Sequence, residues 1–223
     1  MNKKINGFTL IELLVTIAIL GIMAAIAMPS MSRFIANSQT LNRTEQVANL
    51  FRFAKSESIR LGVPVLICGV TVRSDGRHSG VCDANGNANS GMMAYADKNR
   101  NGKYDAGGDD LVVRTVTING NGNLNLVLDM EACPLNSSQC GRVNVKEFVY
   151  MPSGMFGIKA NRNDDPSNIL VGKDFLKIMV SKASSQGNER RVIVGPNGNV
   201  FLCGSSQKET FEKNGASSKR LCN

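Results

Sequence analysis

Tryptophan is absent from this 223-residue chain, aromatic residues make up 5% of it, and histidine occurs once, at His78. A single histidine excludes paired-histidine metal sites, and its polar surroundings suit a surface residue better than a general base. No G-x-S-x-G or G-x-x-x-x-G-K-[ST] string occurs, so there is neither a nucleophile elbow nor a phosphate loop. The expectation is a protein that is not an enzyme. Few aromatics beside frequent Gly, Asn and Ser argue for a loop-rich β domain over a helical bundle. Acidic residues are also missing ahead of position 12, where Lys3 and Lys4 are the only charges.

What is present begins with an apolar run. From Phe8 to Met28 there are twenty-one residues with one charge among them, Glu12, and a helix of that length is about 30 Å long, enough to span a bilayer. The two lysines ahead of it predict a cytoplasmic N-terminus and export of everything beyond Arg33. A carboxylate inside such a run costs about 2.5–3.5 kcal/mol on insertion and implies a partner. A secretory signal, with Ala25-Ile26-Ala27 as its cleavage site, and a plain single-span anchor are alternative readings; the glutamate argues against the first.

Cysteine usage agrees with export. Cys68, Cys82, Cys133, Cys140, Cys203 and Cys222 all lie beyond the apolar run, which predicts three disulfides. Fifteen connectivities are open. Each successive pair brackets a Gly, Asn or Ser-rich loop, so 68 with 82, 133 with 140 and 203 with 222 is the expected pairing. Zinc is the rival reading, but C-x2-C spacing is absent.

Helical patterning resumes at once after Pro29, so the proline predicts a kink and not an end. Ile35, Leu41, Val47, Leu50, Phe51, Ala54 and Ile59 recur at near-helical spacing, and Leu61-Gly62 followed by Pro64 marks the stop. Strands are expected at 63–72, 92–96, 111–118, 124–128, 143–151, 155–158, 175–181, 191–194 and 199–202, with hairpin turns at Pro152-Ser153-Gly154 and Pro196-Asn197-Gly198. The segment 160–168 has no apolar anchor and is expected to be a mobile loop.

The N-terminal string K-x-x-G-F-T-L-I-E resembles the type III signal of type IV pilins and pseudopilins. The resemblance extends, more loosely, to the minor-pilin branch of FimU, FimT and GspH through Phe53-Ala54-Lys55-Ser56-Glu57, the block from Tyr95 to Arg114, and Phe148 to Phe156. It implies a peptidase that cuts after Gly7 and methylates Phe8, and a Glu12 that pairs with a neighbouring subunit's terminal amine. It implies an α+β pilin fold in which a long N-terminal helix packs on an antiparallel β-sheet head: leader 1–7, helix 8–61, head 62–223. The implied function is that of a minor pilin that joins type IV pili, primes their assembly and serves motility or adhesion. A DNA-binding pilin of natural transformation and a pseudopilin of type II secretion are the alternatives. The implied partners are major and minor pilins, the prepilin peptidase, the inner-membrane assembly platform and DNA. The location would be the inner membrane with the head in the periplasm, then the extracellular pilus.

Two further sites are expected in the head. Asp97, Asn99, Asn101, Gly102 and Asp105 follow the oxygen-ligand spacing of a calcium loop. Gly108 stands where that loop needs Glu, and Asn-Gly runs also make plain turns. The last third is the basic part: residues 159–223 carry a net +5, against +2 over residues 29–158. Arg190, Arg191, Lys219 and Arg220 are its candidate phosphate contacts. The G-R-x-R string of DNA-binding pilins is absent, and few aromatics are available for stacking on single strands.

Overall fold

The computed structural model describes residues 8–73, 75, 77–83, 85–119, 124–136, 139–162, 164–183, 189–203 and 222, with the side chains of residues 26–30 and 33 outside that description. One helix, α1, runs over Leu10–Leu61. Among the described residues eleven strands follow: β1 Val65–Val72, β2 His78–Cys82, β3 Gly91–Ala96, β4 Leu111–Thr117, β5 Leu126–Pro134, β6 Gly141–Arg142, β7 Glu147–Tyr150, β8 Phe156–Ile158, β9 Asp174–Lys182, β10 Arg190–Val194 and β11 Val200–Leu202. They form two antiparallel sheets, one ordered β4-β3-β1-β7-β8 with β2 beside β1, the other β11-β10-β9-β5-β6.

The chain divides into two units, Met1–Gln39 and Thr40–Asn223. The second begins at Thr40, inside α1 and not at residue 62, because the helix becomes one-sided there. Thr40, Thr44, Val47, Ala48, Leu50, Phe51, Ala54 and Ser58 are buried, a stripe at three- and four-residue spacing. Ile35, Leu41 and Ile59, expected in that stripe, are exposed. Small hydroxyl residues take their place because they allow close approach and bond back to the backbone. Thr44 Oγ1 donates to Thr40 O at 2.7 Å and Ser58 Oγ to Lys55 O at 2.8 Å.

Phe51 is the centre of the core. Its ring lies 5.6 Å from Phe148, 6.5 Å from Tyr150 and 6.2 Å from Phe156. Around it the inward residues of both sheets, such as Val65, Ile67, Leu128, Ile178 and Val192, close one cluster with the helix. Alternation along β1 sends Leu66, Cys68 and Val70 to the opposite face. That face is covered by Cys82 and Tyr104, and the second sheet's outer face by Cys140, Phe175, Cys203 and Cys222. Disulfides join Cys68 to Cys82, Cys133 to Cys140 and Cys203 to Cys222. Each crosslink therefore sits on a sheet face that α1 does not cover.

The described residues of the segment 160–168 are anchored, where no anchor is expected. Lys159, fully buried, donates from Nζ to Glu147 Oε2 at 2.9 Å, Gly102 O at 2.8 Å and Arg162 O at 2.7 Å. Arg162 binds the other carboxylate oxygen of Glu147 at 3.0 Å and also reaches Asp83 O. A 3-10 turn, Pro166–Asn168, capped by Asp165, then leads to Ile169 on the outer core. The anchor is polar, and hydropathy does not reveal it. β2 was also unforeseen, because it is a partly exposed polar strand bulged against β1. β5 runs on to Pro134, past the expected end at 128: Asp129 and Glu131 take outward positions where Arg142 and Lys177 pair with them.

The two expected hairpin turns meet at the helix. Gly198 (φ +74°) has no room for a side chain: a Cβ there would overlap Gly154 O and lie 2.8 Å from Tyr150 Cε1. Gly62 (φ +67°), which follows the helix, has open space around it. Gly62→Ala should therefore cost only the left-handed strain of about 1–2 kcal/mol. Gly198→Ala should cost about 1–3 kcal/mol more through overlap, a ranking that chemical denaturation of the oxidised protein checks. In the same assay Glu147→Ala, which strands the Lys159 ammonium, should lose about 3–5 kcal/mol. The exposed pair Arg142–Asp129 should contribute no more than about 1 kcal/mol.

Candidate functional site

The N-terminal end of α1 is built by a local device. Thr9 Oγ1 accepts the Glu12 N–H at 3.3 Å, and Thr9 O accepts the Leu13 N–H at 3.2 Å. T-x-x-E is thus the start signal of the helix, and it places Glu12 in the first turn, where the helix dipole favours a carboxylate. Among the described residues the Glu12 carboxylate has no ion-pair partner. Phe8 is 83% exposed, and Gly7 lies outside the described residues.

Behind Glu12 the described side chains as far as Ala25 are apolar apart from Thr16. Leu10, Ile11, Leu13, Leu14, Ile17 and Ile19 are all exposed, as are Met31, Phe34 and Ile35 further on. Among the described residues no helix is long and apolar enough to cross a membrane. The apolar part with described side chains, Leu10 to Ala25, is sixteen residues, about 24 Å of helix; the expected span continues into residues 26–28.

The structure brings Asp97, Asn99, Asn101 and Asp105 together in the turn between β3 and β4. Asp97, fully buried, accepts from Gly102 N at 2.8 Å and Asn101 N at 3.2 Å. Burial, and then the charge of Asp110, push its carboxyl above the usual range against the pull of the Gly102, Asn101 and Arg100 N–H groups. Asn99 and Asn101 both direct their Nδ2 groups to Asp105 Oδ2 at 2.7 Å, while their Oδ1 atoms accept backbone N–H groups. So placed, both amides donate to the Asp105 carboxylate within the turn. Among the described residues no group of three or more His, Cys, Asp or Glu is arranged to hold a metal. The turn's role in the fold is to carry Gly102, whose carbonyl receives Lys159.

Of the basic candidates, Arg190 is exposed at the start of β10, and Arg191 is ion-paired with Glu189. Both lie beside the Cys203–Cys222 disulfide. Lys219 and Arg220 lie outside the described residues. A third cation, Arg114, had no signal in the sequence. A register shift between β3 and β4 accompanies it, and its guanidinium stands 5.3 Å from the centre of the Phe53 ring on α1.

Comparison with known proteins places these features. Residues 2–28 match the family model of the prokaryotic N-terminal methylation motif, and residues 43–198 match that of type II transport protein GspH. The type IV major fimbrial protein FimA of Dichelobacter nodosus is 34% identical over 105 residues, 47% of this chain and 51% of that protein. The type IV major alpha-pilin of Moraxella bovis is 52% identical over 48 residues, 22% of this chain and 30% of that one. The chain thus spans about half or less of the length of these curated relatives. Among solved structures, the type IV minor pilin FimU of Pseudomonas aeruginosa aligns with a TM-score of 0.46 at 11% identity, over 85% of this chain and 99% of that one. The minor pseudopilin EpsH of the Vibrio cholerae type 2 secretion system aligns at 0.39 and 12%, over 74% and 95%. Pilins and pseudopilins are structural proteins and not enzymes, and with most of this chain matching the GspH model it belongs to the GspH-like family of minor pilins and pseudopilins.

Proposed function

We propose that the chain is a minor subunit of a type IV pilus, inserted in the inner membrane as a prepilin, cut after Gly7, methylated at Phe8 and packed into the filament through α1, where it helps to prime assembly. The observation that carries this reading is the helix surface ahead of Thr40. From Leu10 to Met23 its large apolar side chains are exposed, and a helical stretch apolar all round requires an apolar surrounding. Lipid supplies it before assembly, and the helices of other pilins supply it afterwards. The methylation-motif match over residues 2–28 supports the processing step, and a Glu12 carboxylate with no ion-pair partner among the described residues supports a role for its charge between subunits. Motility or adhesion would follow from the filament, and the assembly platform and prepilin peptidase would be its partners on the way.

Glu12→Val should leave a processed, membrane-bound protein that is largely missing from sheared filaments, by immunoblot of both fractions; normal incorporation would remove the assembly role. Gly7→Leu should leave the leader attached, seen as an unshifted intact mass. A secretion defect with intact pili on deletion would instead assign the chain to a type II secretion pseudopilus, the alternative that the matched family model supports.

DNA contact is a second reading. It is supported by the net +5 over residues 159–223 and by the exposed Arg190. Duplex affinity that falls steeply with salt, and falls further for Arg190→Ala combined with Arg191→Ala, is its expected signature. Salt-independent or undetectable binding removes it.

A further inference from the structure

The outward face of α1, on the half of the helix that folds with the head, carries a concave seat. It has a volume of about 320 Å3 and is lined by Asn49, Arg52, Phe53, Ser56 and Arg114. Four of these lie within about two turns of helix, and Arg114 reaches the seat from β4, the edge strand of the first sheet. Its guanidinium stands 5.3 Å from the centre of the half-buried Phe53 ring. A guanidinium over a ring is attracted by the ring's electrons, which leaves most of its five N–H donors for hydrogen bonding. Among the described residues those of Arg114 have no acceptor, and no carboxylate pairs with it.

The rest of the lining presents donors as well. Arg52 gives one N–H to Asn49 Oδ1 at 3.0 Å and another to Val200 O at 3.3 Å; both acceptors are neutral, so its charge is not compensated there. Because Asn49 Oδ1 accepts from Arg52, Nδ2 is the atom left over, and among the described residues it has no acceptor. Ser56 Oγ donates its proton to Phe53 O at 2.8 Å. Among the described residues the lining holds no acid. On the same helix Glu57 is bound by Arg60 at 2.6 Å, and Glu45, exposed, lies outside the seat. Two positive charges and an excess of donors over acceptors fit a group that only accepts, and among side chains that group is a carboxylate. A nucleic-acid backbone needs a row of cations, whereas these two line one space at the small end of the roughly 300–1,000 Å3 range of ligand sites.

We propose that this seat receives the carboxylate of one aspartate or glutamate side chain from a neighbouring filament subunit, held by Arg114 and Arg52 with Asn49 Nδ2 as a further donor. The inference rests on the reading of the chain as a subunit packed through α1, and it adds the charge that the neighbour must bring.

The experiment puts photo-reactive benzoylphenylalanine in place of Ser56, an exposed residue, in the full chain in its native host, crosslinks whole cells and identifies the joined peptide by mass spectrometry. A peptide of another pilin with Asp or Glu at or beside the joined residue is expected. The crosslink yield should fall about tenfold for Arg114→Glu, the loss that follows from removing a hydrogen bond between charged groups, and severalfold for Arg114→Gln. Arg114 is exposed, so the amount of processed chain in the membrane should not change, while its share in sheared filaments should fall with the crosslink. Lysine in place of the neighbour's acid should restore Arg114→Glu. Lys98→Glu, an exposed charge reversal outside the seat, should change neither readout. A joined peptide without an acid, an undiminished crosslink for Arg114→Glu, or no rescue by the lysine overturns the proposal, and does so with the wild-type chain still in filaments. Wild-type chain missing from filaments, with the acid-dependent crosslink intact, would instead overturn the pilus reading and keep the seat.

Discussion

Everything in the head depends on one face of α1, from Thr40 to Ser58, being buried against two sheets. Neither sheet could stand alone, since each has an inward set of Val, Ile, Leu and Met that only the helix and the other sheet remove from water. Burying a side chain the size of Phe51 is worth about 1.5–3 kcal/mol, and its three aromatic neighbours, Phe148, Tyr150 and Phe156, come from the hairpin that also closes over Lys55 and Ile59. The same helix carries exposed apolar side chains from Leu10 to Met23 and is apolar on one side after Thr40. That change within one continuous element divides a segment that folds the head from a segment whose large apolar side chains stay exposed.

The outer faces of the sheets are held by other means. Among the described residues no helix covers them, and they carry the three disulfides, the Tyr95–Tyr104 pair and the buried charges around Glu147. A crosslink closing a loop such as that from Cys68 to Cys82 contributes about 3 kcal/mol by the loop-entropy account, and such bonds persist where the surroundings are oxidising. The Lys159–Glu147–Arg162 group joins four separate segments, β7, the turn at Gly102, the loop at Asp83 and the loop after β8. Buried ion pairs add little net stability over apolar packing; what this one does is fix which loops meet.

Much of this was legible in the sequence, and the exceptions share a cause. The long helix, both glycine turns, most strand positions and the pairing of neighbouring cysteines can be read from periodicity, Pro-x-Gly strings and spacing. Apolar patterning misplaced the buried stripe of the helix, because Thr40, Thr44 and Ser58 are buried as small hydroxyl residues and Ile35, Leu41 and Ile59 are not buried at all. It also took 160–168 for a mobile loop, because Lys159 and Arg162 hold it through charge. In both cases a polar residue does the work of a core residue, and hydropathy is blind to that. A sequence signal did exist for part of it: Glu147 opens a strand whose other members, Phe148, Val149 and Tyr150, are all apolar or aromatic, and a carboxylate in such company needs a buried cation. For the Asp97 turn the spacing of oxygen-bearing side chains was read correctly, but spacing cannot say that Asn99 and Asn101 turn their amide nitrogens inward.

In the proposed role the segment ahead of Thr40 serves contacts between subunits and takes its mature form only after processing. Both are read from the mass of the N-terminal peptide of this chain recovered from sheared surface filaments of its native host. A peptide that begins at Phe8 and carries one methyl group on its amine is expected. A filament fraction without the chain, or a chain there that still begins ahead of Phe8, would remove that role.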